Sequence, residues 1–324
     1  MLPLDVLARI VDAIDGCSVE GLPAGTRWEE FTIEVNPEDI VEKGEEYVRG
    51  LMGLGVNRIS MGVQSFDDGI LKWMNRRHDA AAAEEAFRIL WACGMDNISV
   101  DLIFGLSQLV ESAWSSTIDR TLALAPEHIS AYQLSVEEDS ALERLVAKGK
   151  YVEASDEQCR RQYDILCERL REVGYRHYEI SNFALPGFEA VHNSAYWRRV
   201  PYVGLGPGAH SLSSGGVRSW NTQEIPRRLK DGSLAVYSRE EEILTPDDIR
   251  IERIMLPLRT DLGLPEDELR SLSGDENVDR LLYSGALARC STVPEPVEGL
   301  PDRHNIRIPE DRFFISDEII RELL

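Results

Sequence analysis

Two carboxylates, Glu34 and Asp101, stand inside apolar, β-branched runs, FTIEV (31–35) and NISVDLIFG (97–105). A carboxylate there is costly to bury unless something pairs with it. Two further runs of the same character, RISMGVQ (58–64) and HISAYQLSV (128–136), carry polar groups towards their ends: Gln64 followed by Ser65, and Gln133 with Ser135. In parallel α/β architectures ligands bind at the carboxyl ends of the strands. Four successive strands would then offer acids, amides and hydroxyls on one rim, which suits a small polar ligand bearing hydroxyls and an ammonium group. The competing reading is that the acids meet arginines or backbone amides and only brace the sheet. A second concentration of chemistry lies in residues 188–222, rich in glycine, aromatics and histidine, a composition better suited to wrapping a site than to building a core.

The elements that must position these groups follow from periodicity. Residues 4–15 have helical spacing, and helices are expected around 40–53, 80–93 and 111–124, alternating with the four strands. Strand–helix alternation at this pitch predicts a parallel sheet covered by helices, of the barrel or doubly wound kind. Beyond residue 136 the pattern changes. A long helix is expected over 154–173, a strand and turn over 178–187, a charged linker over 224–242 and two or three short helices over 246–289. Residues 303–324 read as a short β-hairpin and terminal helix, a winged-helix-like module. STVPEPVEGLPD (291–302) reads as an inserted loop.

Composition narrows the function classes. Lysine plus arginine number 35 against 57 acids, a net charge of −22. Phosphate backbones and anionic lipid repel such a chain, so no nucleic-acid partner is expected. No apolar run is long enough to span a bilayer, and the N-terminus lacks the layout of a signal peptide. Peripheral membrane contact stays open. Five cysteines, Cys17, Cys93, Cys159, Cys167 and Cys290, show no CxxC or CxxxCxxC spacing. A sparse, odd set of this kind reads as reduced, helix-packing thiols in a cytoplasmic protein.

FTIEVNPEDI, GVNRISMGVQSFDDGILKWMNRRH and NISVDLIFGL, in that order, resemble the radical-SAM core of the coproporphyrinogen oxidase and HemW group. YEISNFALPGFEAVHNSAYWRRVPYVGLGPGAHS resembles the HemW branch in particular, and the similarity covers nearly the whole chain. The resemblance implies a partial (β/α) barrel holding S-adenosylmethionine against a [4Fe–4S] cluster. It places Glu34, Gln64, Arg76, Asp101 and, near another contact, Ser135 on S-adenosylmethionine. Arg76, in the loop NRRH, would pair with the carboxylate of the methionine moiety. His192-Asn193-Ser194-Ala195-Tyr196-Trp197 is the pattern that the resemblance links to haem. His192 would be the axial iron ligand, Tyr196 and Trp197 would pack on the porphyrin, and His210, in GLGPGAHS, is a second candidate. Haem and recipient haemoproteins are the partners implied; the oligomeric state stays open.

The departures shape the expected architecture. The CxxxCxxC loop and the GGGTP segment of the family precede the matched segments and do not occur in this sequence. The expectation is an α/β fold: an incomplete radical-SAM barrel lacking its first two strands, with the haem-site extension, over 1–222, then a linker and small winged-helix-like domain over 223–324. GLSQLV (105–110) stands where the family usually reads GLPGQT. Without three clustered thiolates no cluster is anchored in the usual way, so enzymatic activity of this chain stays open. A haem chaperone is the leading reading, with an oxygen-independent coproporphyrinogen III oxidase and an inactive barrel remnant as alternatives.

Overall fold

The structure, a computed structural model, describes residues 2–16, 28–222, 238–291 and 304–324. The chain divides into two compact units, Met1–Val191 and His192–Leu324. The division falls earlier than the expected 222/223. The reason is a sheet that runs across that point: the strand ending at Asn221 pairs with the strand starting at Arg239, so residues 210–221 belong to the second unit.

The first unit holds α1 (Leu4–Asp15), β1 (Thr32–Val35), α2 (Pro37–Gly53), β2 (Arg58–Gln64), α3 (Asp68–Trp73), α4 (Ala80–Ala92), β3 (Ile98–Phe104), α5 (Glu111–Leu124), β4 (His128–Gln133), α6 (Ala141–Ala147), α7 (Asp156–Glu172), β5 (Arg176–Glu179) and β6 (Asn182–Ala184). One six-stranded sheet, ordered β1-β2-β3-β4-β6-β5, joins all its strands. The pairs among β1 to β4 are parallel, and β6 and β5 continue the sheet antiparallel. Helix ends follow local chemistry. Pro37 opens α2 at a position whose N–H would go unbonded in any case. Asp79 caps α4 by accepting from the Ala82 N–H at 2.8 Å, and Ser155 caps α7 through Gln158. The expected strand-and-turn over 178–187 is instead a tight antiparallel pair, β5–β6.

The two faces of this sheet differ sharply. Side chains alternate across a strand. Ile59, Met61 and Val63 of β2, Ile98, Val100, Leu102 and Phe104 of β3, and Ile129 and Ala131 of β4 are buried. With Trp114, Ile118 and Leu166 from the helices, they belong to the apolar core. The opposite face carries Glu34, Arg58, Ser60, Ser99, Asp101, His128 and Ser130, aligned in register across four strands.

The second unit contains α8 (Val191–Trp197, beginning at its edge), β7 (His210–Leu212), β8 (Val217–Asn221), β9 (Arg239–Ile243), α9 (Pro246–Leu258), β10 (Leu264–Pro265), α10 (Glu266–Ser273), α11 (Asp275–Tyr283), β11 (Ala288–Ser291), β12 (His304–Arg307), a 3-10 turn at Glu310–Ile315 and α12 (Ser316–Arg321). β7-β8-β9 form one antiparallel sheet, and β10-β12-β11 a second. The short hairpin expected ahead of the terminal helix in 303–324 is therefore a different pairing. β12 pairs with β11 and β10, and the residues after it turn into the 3-10 helix. Residues 239–243, expected within a linker, form β9. The proposed inserted loop, VPEPVEG included, lies outside the described residues, as does the linker over 223–237.

Candidate functional site

Asp101 is the centre of the polar face. Its carboxylate accepts from the Ser60 hydroxyl, 3.0 Å to each oxygen, and from the Ser99 hydroxyl at 3.2 Å. Ser130 on β4 is paired in register with Asp101, and its hydroxyl lies 3.3 Å from that of Ser99. Burial nevertheless dominates and pushes the Asp101 carboxyl up to about 6. Glu34 is next in line: it pairs with Ser60 across β1–β2 and is exposed. Tyr132, two residues beyond Ser130, is 44% exposed and feels the charges of Asp101, Glu179 and Glu34. Its phenol is pushed up by burial first and by those carboxylates next. Below Asp101 the face closes: Ser99, Ser130 and His128 are buried, and Arg58 is only 5% exposed with its Nε lacking a hydrogen-bond partner.

A second cluster gathers at the carboxyl end of β2. The strand breaks register between Met61 and Gln64, and Gln64 takes a left-handed backbone conformation (φ 67°). This geometry costs a non-glycine residue on the order of 1–3 kcal/mol and persists only where neighbours enforce it. Here Thr117 accepts from the Phe66 N–H at 3.3 Å, and Arg120 donates to the Phe66 carbonyl at 3.0 Å. The Gln64 side chain folds back over Gly62. A Cβ at residue 62 would lie 2.7 Å from Gln64 Nε2 and 3.8 Å from Asn36 Oδ1, so glycine makes the space. Arg76 reaches the same spot, donating to Asn36 Oδ1 at 3.4 Å. Its loop is held by buried His78, which bridges Glu38 and the Val63 carbonyl, 3.0 Å on each side.

The structure thus brings Gln64 and Arg76 together around Asn36, and aligns Glu34 with Asp101 through Ser60. Ser135 behaves differently: β4 ends at Gln133, and Ser135 is exposed beyond it, bonded to Glu137 at 2.6 Å. Sequence reasoning missed Gly62 and the serine ladder. The ladder had a signal: a serine at the third place of the runs RIS (58–60), NIS (97–99) and HIS (128–130). The 105–110 loop is also tied down in a way the sequence does not announce. Gln162 of α7 accepts from the Gly105 N–H at 2.7 Å and donates to the Leu109 carbonyl at 2.8 Å, and Gln158 donates to the Leu106 carbonyl at 3.1 Å.

In the second unit, His192 and Tyr196, one helical turn apart on α8, make an edge-to-face contact at 4.7 Å, and Tyr196 meets Tyr202 in the same way at 4.7 Å. Tyr202 bridges to Leu212 of β7, which sets Gly204 opposite His210. A Cβ on Gly204 would lie 2.0 Å from the His210 carbonyl oxygen, so only glycine permits the approach. His210 stacks on Trp220 of β8 at 5.9 Å. Both imidazoles are exposed, and Val203 and Leu205 beside them are 79% and 71% exposed. Trp197 closes α8, half-buried.

The sequence matches the radical SAM superfamily over residues 3–120. It is 33% identical to the "Heme chaperone HemW" of Lactococcus lactis over 236 residues, 73% of this chain and 61% of that protein. It is 31% identical to the protein of the same name from Mycobacterium tuberculosis, over 91% of this chain and 72% of the relative. The chain belongs to the HemW family of radical SAM proteins. It spans less than two thirds of the length of the Lactococcus relative. The α/β fold of this HemW-family chain is that of HemN, the coproporphyrinogen III oxidase of Escherichia coli, with a TM-score of 0.74 over 99% of this chain and 74% of the other, at 18% identity.

The superfamily implies S-adenosylmethionine and a [4Fe–4S] cluster. The described residues do not fit the cluster. Cys93 caps α4, Cys159 and Cys167 lie on α7, and Cys290 lies on β11. Among the described residues no group of three or more His, Cys, Asp or Glu side chains could hold a metal ion. Among them, too, no helix is long and apolar enough to cross a membrane.

Proposed function

We propose that this chain carries the haem-holding surface and the S-adenosylmethionine cradle of a HemW-type haem chaperone, which binds haem in the cytoplasm and passes it to recipient haemoproteins. The observation that carries the haem reading is the run His192–Tyr196–Tyr202, continued across the Tyr202–Leu212 bridge to the strand of His210. Porphyrin is a flat apolar disc around a metal that takes imidazole. Exposed imidazoles beside aromatic rings and exposed Val203 and Leu205 match both properties. His192 would be the iron ligand and His210 a second donor; Tyr196 and Trp197 would lie against the ring. Release to a recipient is favoured by ligands that sit on the surface rather than in a closed pocket.

The polar face of the first unit fits S-adenosylmethionine. Glu34 and Asp101 would accept from hydroxyls or an ammonium, Arg76 would meet a carboxylate, and Gln64 offers donor and acceptor beside it; Ser135, outside both clusters, would contribute least. When bound beside a cluster, the group supplies a reducible sulfonium. No radical step is assigned to this chain, because its described cysteines do not assemble a cluster site.

A haem titration followed in the Soret band tests the reading. A saturable shift in the wild type, lost or clearly altered in His192→Ala, is expected. A folded wild type with no saturable shift would remove the haem surface from this chain.

A further inference from the structure

Behind Asp101 runs a chain of buried hydrogen bonds whose direction can be deduced. The Ala190 N–H donates to the Tyr178 hydroxyl oxygen at 3.2 Å. A backbone N–H can only donate, so the phenol uses an oxygen lone pair there. Among the described residues His128 Nε2, at 2.8 Å, is the one other partner of this hydroxyl, so the phenol's own proton goes there rather than being buried without an acceptor. With Nε2 accepting, a neutral imidazole carries its proton on Nδ1. Nδ1 faces the Ser99 hydroxyl at 2.8 Å and therefore donates to it. The remaining Ser99 proton has Asp101 Oδ1 at 3.2 Å and the Ser130 hydroxyl at 3.3 Å within reach. The carboxylate, the stronger acceptor, takes it.

We propose that His128 is a positioning residue for the Asp101 site: held as its Nδ1–H tautomer by Tyr178, it commits the Ser99 hydroxyl to donate to Asp101 and so keeps that carboxylate an acceptor towards the open rim. The other tautomer would leave Nδ1 as an acceptor. Ser99 would then donate backwards, and Asp101 would lose a donor at its base. The environment supports a neutral ring, because His128 is fully buried and Arg58 is the cation near it, both of which hold the imidazole well below its usual range. The titratable and charged groups around Asp101 are Arg58 from β2, Glu34 from β1, and His128 and Tyr132 from β4. Tyr132 also feels the charge of Glu179. None of them bonds Asp101 directly; the serines do. The proposal rests on the reading that the Asp101 rim receives a ligand with hydrogen-bond donors.

Nuclear magnetic resonance on the labelled 324-residue chain tests it without any ligand. Long-range proton–nitrogen correlation should show His128 protonated at Nδ1 and bare at Nε2, unchanged through the neutral range. The Asp101 carboxyl should titrate higher in His128→Leu, because the Ser99 hydroxyl, no longer held by the Nδ1–H, divides its proton between Asp101 and Ser130. It should return towards the wild-type midpoint in His128→Asn, whose amide can donate from the δ position. Tyr178→Phe, a gentler change, should release the tautomer and move Asp101 in the same direction. An Nε2–H tautomer in the wild type, or equal displacement in the Leu and Asn variants, would overturn the role. A parallel titration with S-adenosylmethionine separates this from the function proposed above. Several-fold weaker binding in His128→Leu, restored in His128→Asn, supports both. A wild type that does not bind, with the expected tautomer and titrations, removes that ligand and leaves the positioning role standing.

Discussion

Glu179 shows how a single buried acid can set a pH dependence. It is 1% exposed, accepts from the Ser181 N–H at 3.2 Å and from the Asn182 amide, and has no cation bonded to it among the described residues. Burial outweighs those two bonds and pushes its carboxyl up to about 7. A folded-state value above the unfolded one means that the native state holds a proton which the unfolded chain gives up. The stabilisation is complete below the unfolded value of about 4.5 and is lost as pH rises towards 7. The loss is on the order of 3 kcal/mol. Glu179→Gln should therefore be more stable than the wild type at pH 8.5, with the advantage shrinking or reversing at pH 5. Urea midpoints at the two pH values check this; an advantage independent of pH would contradict the assignment.

At the scale of elements, the alternating strands and helices of the first unit follow from periodicity, because β-branched runs bounded by capping residues leave little choice. The site was half visible in the same way. Glu34, Gln64 and Asp101 stand out as polar groups in apolar runs. Gly62 does not, because its role depends on a register break in β2 that no local pattern announces. The sheet β7–β9 was hidden for a different reason: its strands are short and polar, and β9 is exposed throughout. Its anchor is Glu252 on α9, which takes both Arg199, at 2.7 Å, and Arg218 of β8. The sheet β10-β12-β11 rests on a tighter constraint. Gly263 has φ +59°, and a Cβ there would lie 2.1 Å from the Ile306 carbonyl oxygen. Gly263→Ala should destabilise this unit by about 1–3 kcal/mol, seen as an earlier thermal transition. A neutral outcome would mean that the Leu264–Ile306 pairing is not the native one.

For the whole molecule, charge and thiol placement set the limits. A net charge of −22 predicts no retention of duplex DNA in a filter assay at moderate salt; retention that falls steeply with added salt would reveal a basic surface. The four described cysteines lie on α4, α7 and β11 and form no triad. Anaerobic reconstitution with iron and sulfide should thus leave this chain without the stoichiometric absorbance of a [4Fe–4S] cluster. Haem binding, proposed for the other unit, should be unaffected by the same treatment. Stoichiometric cluster formation would show that ligands come together outside the described residues.

The elevated Asp101 carboxyl has one more consequence, for calorimetry. Near pH 6 the free site is divided between its acid and its carboxylate. A ligand that offers a hydrogen-bond donor selects the carboxylate, so each binding event expels a fraction of a proton into the buffer. The measured heat should then vary with the ionisation enthalpy of the buffer chosen, and this variation should fade by pH 8, where no proton is left to expel.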